Sequence, residues 1–283
     1  VNDRTRFIYE AACCGLRDFF VKNGYKKACV GVSGGIDSAV VACLAVAALG
    51  AENVRGLMMP SQFSSEGSVE DAKQLAENLG IEFHVVPITE AYRSIVDTLI
   101  PVIGGTDFDA TEENIQSRIR TLMLMALQNK NGYVLLNCSN KSENALGICT
   151  LYGDTGGAFS VTGDLYKTEM YDLARYINRK FGDPIPENIL TKEPSSELRP
   201  DQKDSDMLPS YEVVDAILYR LIEDGQSREE IINAGFDSDE VQKIYAMVMR
   251  NEKKRFQYPP VLRLSSSSFG HEYRMPLTHK YVK

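Results

Sequence analysis

Short apolar segments alternate with helical patterns along most of this 283-residue chain. Strand-like runs occur at 28–32, 54–59, 83–88 and 133–138, with a shorter one at 159–161. Helical periodicity fills the intervals at 36–49, 66–79, 89–101, 112–130 and 166–181, and an amphipathic helix precedes them at 5–23. Strands that alternate with helices form βαβ units, so the pattern predicts an α/β fold with a Rossmann-like parallel sheet and helices on both faces.

The chain changes character after residue 182. Residues 183–210 contain five prolines separated mainly by acidic residues, a composition that predicts a long loop, and loops of this length are usually functional or disordered. Helical patterns follow at 210–224, 227–234 and 237–254, and an irregular tail begins at Pro259. We therefore expect one domain over 1–283, with a mobile loop at 183–210 and a helical C-terminal subregion at 211–283.

A glycine-rich turn with the sequence Ser33-Gly34-Gly35-Ile36-Asp37-Ser38 separates the first apolar run from the helix at 36–49. A strand, a glycine turn and a helix N-terminus present backbone N–H groups and a positive dipole end to phosphate. Asp37 would repel phosphate unless a cation lies between them, which indicates Mg²⁺. In the alternative interpretation, Ser33 caps the helix and Asp37 only complements its dipole. The pattern resembles the pyrophosphate-binding loop of the ATP pyrophosphatase superfamily, which has an adenine nucleotide alpha hydrolase-like fold.

Polar residues cluster after the strand at 133–138. Glu143 lies at a strand-to-helix junction and is a candidate second metal ligand beside Asp37. Lys167 can neutralise charge on a departing pyrophosphate. Taken singly, Glu143 could instead belong to a capping box, and Asp154 could stabilise a turn.

The helix at 112–130 has a polar face that includes Asn114 and Arg118, four residues apart. Arg118 and Arg120 point in different directions, so we expect only one of them to enter a pocket. Arginine suits bidentate recognition of phosphate or carboxylate, although a solvated surface position is the commoner role of a single arginine.

The bulk composition is that of a globular protein that binds neither membranes nor nucleic acid. A net charge of −8 argues against a nucleic-acid surface. No segment approaches the ~20 apolar residues of a membrane span, and no signal peptide is recognisable. The six cysteines form no C-x-x-C pair, as expected for a reducing cytoplasm.

Four later segments make the resemblance specific. They are Ser139-Asn140-Lys141-Ser142-Glu143, Tyr152-Gly153-Asp154, Gly163-Asp164-Leu165-Tyr166-Lys167 and Lys192-Glu193-Pro194-Ser195-Ser196-Glu197-Leu198. With the Ser33 loop they resemble, over nearly the whole chain, the synthetase domain of NAD⁺ synthase.

The resemblance implies an ATP- and Mg²⁺-dependent amide ligase. The nicotinate carboxylate of deamido-NAD⁺ attacks the α-phosphate of ATP, and ammonia then displaces AMP from the adenylate. Carried over by motif, catalysis falls to Asp37, Glu143 and Lys167, with Mg²⁺ on the two carboxylates. The remaining residues implied are Ser33, Gly34, Gly35, Ser38, Lys167 and Ser195 for ATP, and Asn114, Arg118 and Asp154 for deamido-NAD⁺.

One motif points to the source of ammonia. Ser139-Asn140-Lys141 stands where ammonia-dependent members often carry Thr-Asp-His, a variant that resembles the glutamine-dependent enzymes. We therefore expect this chain to be the synthetase domain of a larger enzyme whose nitrilase-like glutaminase domain precedes Val1. The resemblance also implies a homodimer or larger homo-oligomer. Two alternatives stay open at this stage, a tRNA-modifying sulfur transferase and a non-catalytic nucleotide-binding module.

Overall fold

A parallel five-stranded sheet forms the centre of the protein, with strand order β3-β2-β1-β4-β5. The computed structural model describes residues 3–104, 107–270 and 272–280. The strands are β1 (Lys27–Gly31), β2 (Val54–Met58), β3 (Glu82–Val85), β4 (Tyr133–Asn137) and β5 (Phe159–Ser160). The chain order runs outward from β1 in both directions, so the ends of β1 and β4 flank the switch in strand order, where such sheets bind ligands.

Twelve helices surround the sheet or follow it in the described part of the chain. They are α1 (Asp3–Lys22), α2 (Ile36–Leu49), α3 (Glu66–Leu79), α4 (Thr89–Ile103), α5 (Ala110–Asn131), α6 (Lys141–Leu146), α7 (Lys167–Phe181), α8 (Glu187–Thr191), α9 (Tyr211–Ile222), α10 (Arg228–Asn233), α11 (Ser238–Arg250) and α12 (Glu252–Arg255). None of these helices is long and apolar enough to cross a bilayer.

Alternate residues of each strand face two different cores. Ala28 and Val30 of β1 pack with α1, α2, α3 and α7, whereas Cys29 between them packs with α4 and α5. This period of two is what a sheet covered on both faces requires. The helices on both faces confirm the predicted fold class.

The C-terminal helices form a third core with part of the strand-to-helix region. Buried side chains of α9, α10 and α11 pack with Ala145 and Leu146 of α6 and with Phe269 of the tail. Helix α6 therefore lies between the sheet and the C-terminal layer. The position of α6 therefore depends on both of these layers.

Candidate active site

The Ser33 loop is a closed turn stabilised by its own hydroxyl groups. Ser33 Oγ accepts a hydrogen bond from Gly35 N at 3.2 Å, and Ser38 Oγ donates to the Gly35 carbonyl at 3.1 Å. Gly34 has a φ of +79°, and a Cβ there would meet the Ser68 carbonyl oxygen at 2.2 Å. Only glycine fits this position, because helix α3 packs directly on the turn.

The N-cap of α2 is Gly35 and not Ser33, so the first turn of this helix receives no side-chain cap from its N-cap residue. Asp37 does not merely complement the helix dipole, because it is paired with a lysine and accepts from Asn140 Nδ2 at 2.9 Å. Ser33 is therefore not the N-cap, and Asp37, which lies in the first turn of α2, does more than complement the helix dipole. The loop keeps the open helix N-terminus that an anion site needs.

Asp37, Glu143 and Lys167 converge beside this loop. Lys167 Nζ lies 2.6 Å from Asp37 Oδ2 and 3.3 Å from Glu143 Oε1, and only 4% of the lysine side chain is exposed. Three separate segments supply the group, namely the start of α2, the start of α6 and the start of α7. The cluster brings together the three side chains that the sequence analysis assigned to catalysis.

The charges in this cluster are strongly coupled. Burial and the nearby Asp37 carboxylate raise the pKa of Glu143, so its carboxyl group favours the protonated form. Burial alone would lower the pKa of Lys167, but the two carboxylates outweigh it and raise that pKa well above its ordinary value. The ammonium therefore stays charged and is paired with Asp37 and Glu143.

The two carboxylates fit a Mg²⁺ site that is completed by a substrate. Their oxygens approach one point, the lysine ammonium, and Mg²⁺ typically takes one or two carboxylates together with substrate phosphates. Over residues 3–104, 107–270 and 272–280, no group of three or more histidine, cysteine or acidic side chains could hold a metal by itself. Phosphate oxygens and water would have to supply the other ligands.

A cavity of about 320 Å³ opens over the cluster. Its walls include the Ser33 loop, the ends of β2 and β4, and residues 192–198. Four other side chains assigned by sequence line it, namely Ser33, Ser38, Asp154 and Ser195. A pocket of this size at the carboxyl ends of parallel strands is the usual position of a ligand site in such folds.

Part of the segment at 183–210 covers this cavity. The Glu197 carboxylate accepts from Ser65 N at 3.2 Å and from Ser68 Oγ at 2.8 Å, at the N-terminus of α3. Lys192 pairs with Asp71 of α3 at 2.8 Å, and Gln116 Nε2 donates to the Leu198 carbonyl at 2.8 Å. The segment contains helix α8 and is docked on α3 and α5, in place of the wholly irregular loop that its composition predicted. Its mobility stays a prediction.

The residues assigned to deamido-NAD⁺ separate into two groups. Asp154 lines the cavity, and burial raises its pKa to about 6. Asn114 Oδ1 accepts from Thr150 Oγ1 at 2.6 Å, and Arg118 Nε donates to the Leu151 carbonyl at 3.1 Å. Asn114 and Arg118 therefore hold the loop that carries Asp154, and neither belongs to the described lining of the cavity.

Arg120 is the arginine of α5 that lines the cavity. Its Nε donates to the Met59 carbonyl at 2.9 Å, and burial lowers its pKa to about 10. One arginine of the Arg118–Arg120 pair does enter the pocket, as the alternation of helix faces predicts. The family motif assigns deamido-NAD⁺ binding to Arg118, and it assigns no role to Arg120.

Known proteins resemble this chain in sequence and in fold. The family model described as NAD synthase matches residues 8–258. The chain belongs to the NAD synthase family. It is 52% identical over 276 residues to the glutamine-dependent NAD(+) synthetase of Aquifex aeolicus, and 47% identical over 279 residues to that of Thermotoga maritima. Each match covers 98% of this chain and 48% of the relative, so the chain spans about half the length of these relatives.

Solved structures of the family show the same fold. A glutamine-dependent NAD⁺ synthetase from Acinetobacter baumannii, in complex with ADP, has a TM-score of 0.65 and 41% identity, covering 95% of this chain and 49% of that one. The NH3-dependent NAD synthetase of Campylobacter jejuni has a TM-score of 0.69 and 29% identity. An NMN synthetase from Francisella tularensis has a TM-score of 0.76 and 26% identity. The last two each match 89% of this chain and 95% of their own. Family membership confirms the resemblance on which the sequence analysis relied.

Proposed function

We propose that this chain converts deamido-NAD⁺ to NAD⁺ with ATP and ammonia, releasing AMP and pyrophosphate. The observation that carries the proposal is the convergence of Asp37, Glu143 and Lys167 beside a glycine loop with an open helix N-terminus. This arrangement supplies positioning and charge neutralisation, which are what transfer to a phosphorus atom requires. Family membership supports the substrates.

The first step makes an acyl-adenylate. A nicotinate carboxylate oxygen forms a bond to the α-phosphorus of ATP, and the bond from that phosphorus to the β-phosphate bridge breaks. The Ser33 loop, Gly34, Gly35 and Ser38 would hold the pyrophosphate end through backbone N–H and hydroxyl groups. Lys167 and Ser195 would contact the phosphates. The Lys167 ammonium would then stabilise the negative charge that develops on the departing pyrophosphate.

The second step makes the amide. Ammonia attacks the acyl carbon, the bond from that carbon to the AMP oxygen breaks, and the surplus proton leaves to solvent. Asp37 and Glu143 would hold Mg²⁺, which when bound neutralises charge on the phosphate oxygens. On the dinucleotide side we retain Asn114, Arg118 and Asp154, and the position of Arg120 in the cavity supports adding it as an anion contact.

Residues 192–198 would shield the adenylate from water. They already cover the cavity through Glu197 and Lys192, and exclusion of water protects a reactive acyl group from hydrolysis. Limited proteolysis with and without ATP plus deamido-NAD⁺ tests this role. Ligands should suppress cleavage within 194–209, and identical cleavage in both samples would contradict closure.

The function itself is tested by product analysis. The chain is incubated with ATP, Mg²⁺, ammonium and either deamido-NAD⁺ or nicotinate mononucleotide, because one structural relative is an NMN synthetase. We expect AMP, pyrophosphate and NAD⁺ in equal amounts with deamido-NAD⁺. Release of AMP and pyrophosphate with nicotinate mononucleotide but not with deamido-NAD⁺ would show that the mononucleotide is the substrate. No release with either compound would refute ligation. Robust turnover with glutamine by this chain alone would refute the separate glutaminase domain. The implied homodimer stays a prediction.

A further inference from the structure

Asp215 of α9 lies behind the catalytic cluster and contacts α6 and α7, two of the three helices that carry it. This carboxylate belongs to the C-terminal layer and is 5% exposed. Its Oδ1 accepts from Ser142 Oγ at 2.5 Å, and its Oδ2 accepts from Thr168 N at 2.8 Å. Ser142 precedes Glu143 in α6, and Thr168 follows Lys167 in α7. One side chain therefore connects the immediate neighbours of two proposed catalytic residues.

Ser142 completes a chain of hydrogen bonds. Its hydroxyl donates to Asp215 and accepts from Lys167 N at 2.9 Å. Because the hydroxyl proton is committed to the carboxylate, the oxygen lone pairs are directed to the backbone of Lys167. Asp215 Oδ2 and the Ser142 hydroxyl thus accept from the first two N–H groups of α7, those of Thr168 and Lys167.

Helix α7 needs this cap from outside. Tyr166 is its N-cap residue and provides no side-chain cap. The first N–H groups of a helix have no partner within the helix, and a buried N–H without an acceptor is strongly unfavourable. Asp215 and Ser142 supply these acceptors from two other helices, and Glu169 Oε2 accepts from Tyr166 N at 3.1 Å. The start of α7 is therefore tied to both α6 and α9.

The start of helix α6 is also fixed by side-chain contacts. It has six residues, too few to be stable alone, and its position depends on tertiary contacts. Asn140 caps it by accepting from Glu143 N at 3.0 Å, and the fully buried Lys141 pairs with Asp164 at 2.9 Å. Ser142 links α6 to α7 directly through Lys167 N, and its bond to Asp215 adds a second link through Thr168 N.

We propose that Asp215 is a positioning residue for the reaction, which through Ser142 and Thr168 sets the separation of Glu143 and Lys167. It touches neither the cavity nor these two side chains, so it acts through the helix starts. This inference rests on the proposed function, since Glu143 and Lys167 are its targets. Displacing catalytic groups by about 1 Å can lower a rate by about 100-fold, so a small shift of α6 against α7 is sufficient.

The test compares Asp215→Ala, Asp215→Asn and Ser142→Ala, and the double variant Asp215→Ala/Ser142→Ala. The matched control is Asn178→Ala at the other end of α7. Asn178 is 6% exposed and makes two hydrogen bonds to the backbone of Ile185, so its loss weakens α7 without affecting the cluster. Each protein is assayed where circular dichroism shows it folded, for kcat and KM of pyrophosphate release and for calorimetric affinity for Mg·ATP.

We expect Asp215→Ala to lower kcat about 10- to 100-fold and to weaken Mg·ATP binding. Asp215→Asn should lose less, because its amide oxygen can still accept from Thr168 N. The double variant should be no slower than the slower single variant within about threefold, since both remove one connected device. Asn178→Ala should melt earlier yet keep its kcat within about twofold.

Wild-type kcat and ATP affinity in folded Asp215→Ala would overturn the proposal, as would losses that multiply in the double variant. If Asn178→Ala loses as much kcat as Asp215→Ala, the loss reflects the stability of α7, and the proposal is wrong. If Asp215→Ala does not fold, Ser142→Ala alone decides. An inactive wild type that still binds ATP would refute the proposed function, and the effect of Asp215 on ATP affinity would still be measured.

Discussion

Replacing Lys167 by methionine tests the electrostatic account of the catalytic cluster. The substitution keeps an unbranched side chain of similar volume and removes a buried ammonium 2.6 Å from Asp37 and 3.3 Å from Glu143. Breaking a buried pair by removal of one partner typically costs about 3–5 kcal/mol. Here one carboxyl group can take a proton, which its raised pKa already favours for Glu143, so we expect a value near the lower limit.

For a chain of this size, about 3 kcal/mol corresponds to a fall in Tm of about 6–12 °C. The assay is thermal unfolding followed by circular dichroism, with and without Mg²⁺. Mg²⁺ should raise the Tm of Lys167→Met more than that of the wild type, because the carboxylates no longer have an ammonium partner. Lys180→Met at the other end of the same helix is the control, since Lys180 is exposed and its ammonium lies over the Tyr9 ring, 4.5 Å from the ring centroid. An unchanged Tm in Lys167→Met, or equal stabilisation of all three proteins by Mg²⁺, would refute the reasoning.

Three further substitutions test single elements of the site. The raised pKa of Glu143 makes its contribution to stability fall as pH rises from the ordinary glutamate value through the folded-state value. Glu143→Gln should therefore flatten that fall in urea denaturation across pH while abolishing turnover, and a wild-type pH dependence would contradict the shift. Gly34→Ala should cost about 1–3 kcal/mol more than Gly80→Ala and lose ATP binding, because both positions have positive φ but only Gly34 meets a backbone oxygen. Equal stability of the two glycine variants would show that α3 moves away to make room for the added methyl group, and it would contradict the prediction. Arg120→Met should raise the KM for deamido-NAD⁺ at least about tenfold and Arg118→Met should change it little, and the reverse order would restore the motif-based choice of Arg118.

The sheet and its helices could be predicted because local patterns determine them. Helices α2 and α3 begin and end at the predicted residues, and the other sheet-flanking helices differ by at most two residues at each end. Strand β1 is buried on both faces, which is why its sequence is a continuous apolar run and not an alternating one. Asp37, Glu143 and Lys167 could also be singled out from the sequence, because each lies in the first turn of a helix that follows a strand or turn.

Other parts of the site depend on contacts between distant segments. The choice between Arg118 and Arg120 depends on how α5 is rotated against β2, which the helical period alone does not determine. Helix α8 occupies part of a proline-rich segment, where composition predicted only a loop. Asp215 follows Ser142 by 73 residues and has no local motif, so its role is visible only once α9 packs on α6 and α7. A buried acidic residue in an otherwise apolar helix face was the available signal.

Isotope transfer tests the central claim most directly. Deamido-NAD⁺ labelled with ¹⁸O in the nicotinate carboxylate is supplied with ATP, Mg²⁺ and ammonium, and the products are examined by mass spectrometry. If the carboxylate attacks the α-phosphorus and ammonia then displaces AMP, one labelled oxygen must appear in AMP and one must remain in the NAD⁺ amide. Label in pyrophosphate, or formation of NAD⁺ with unlabelled AMP, would contradict the adenylate and the account of the cluster built on it.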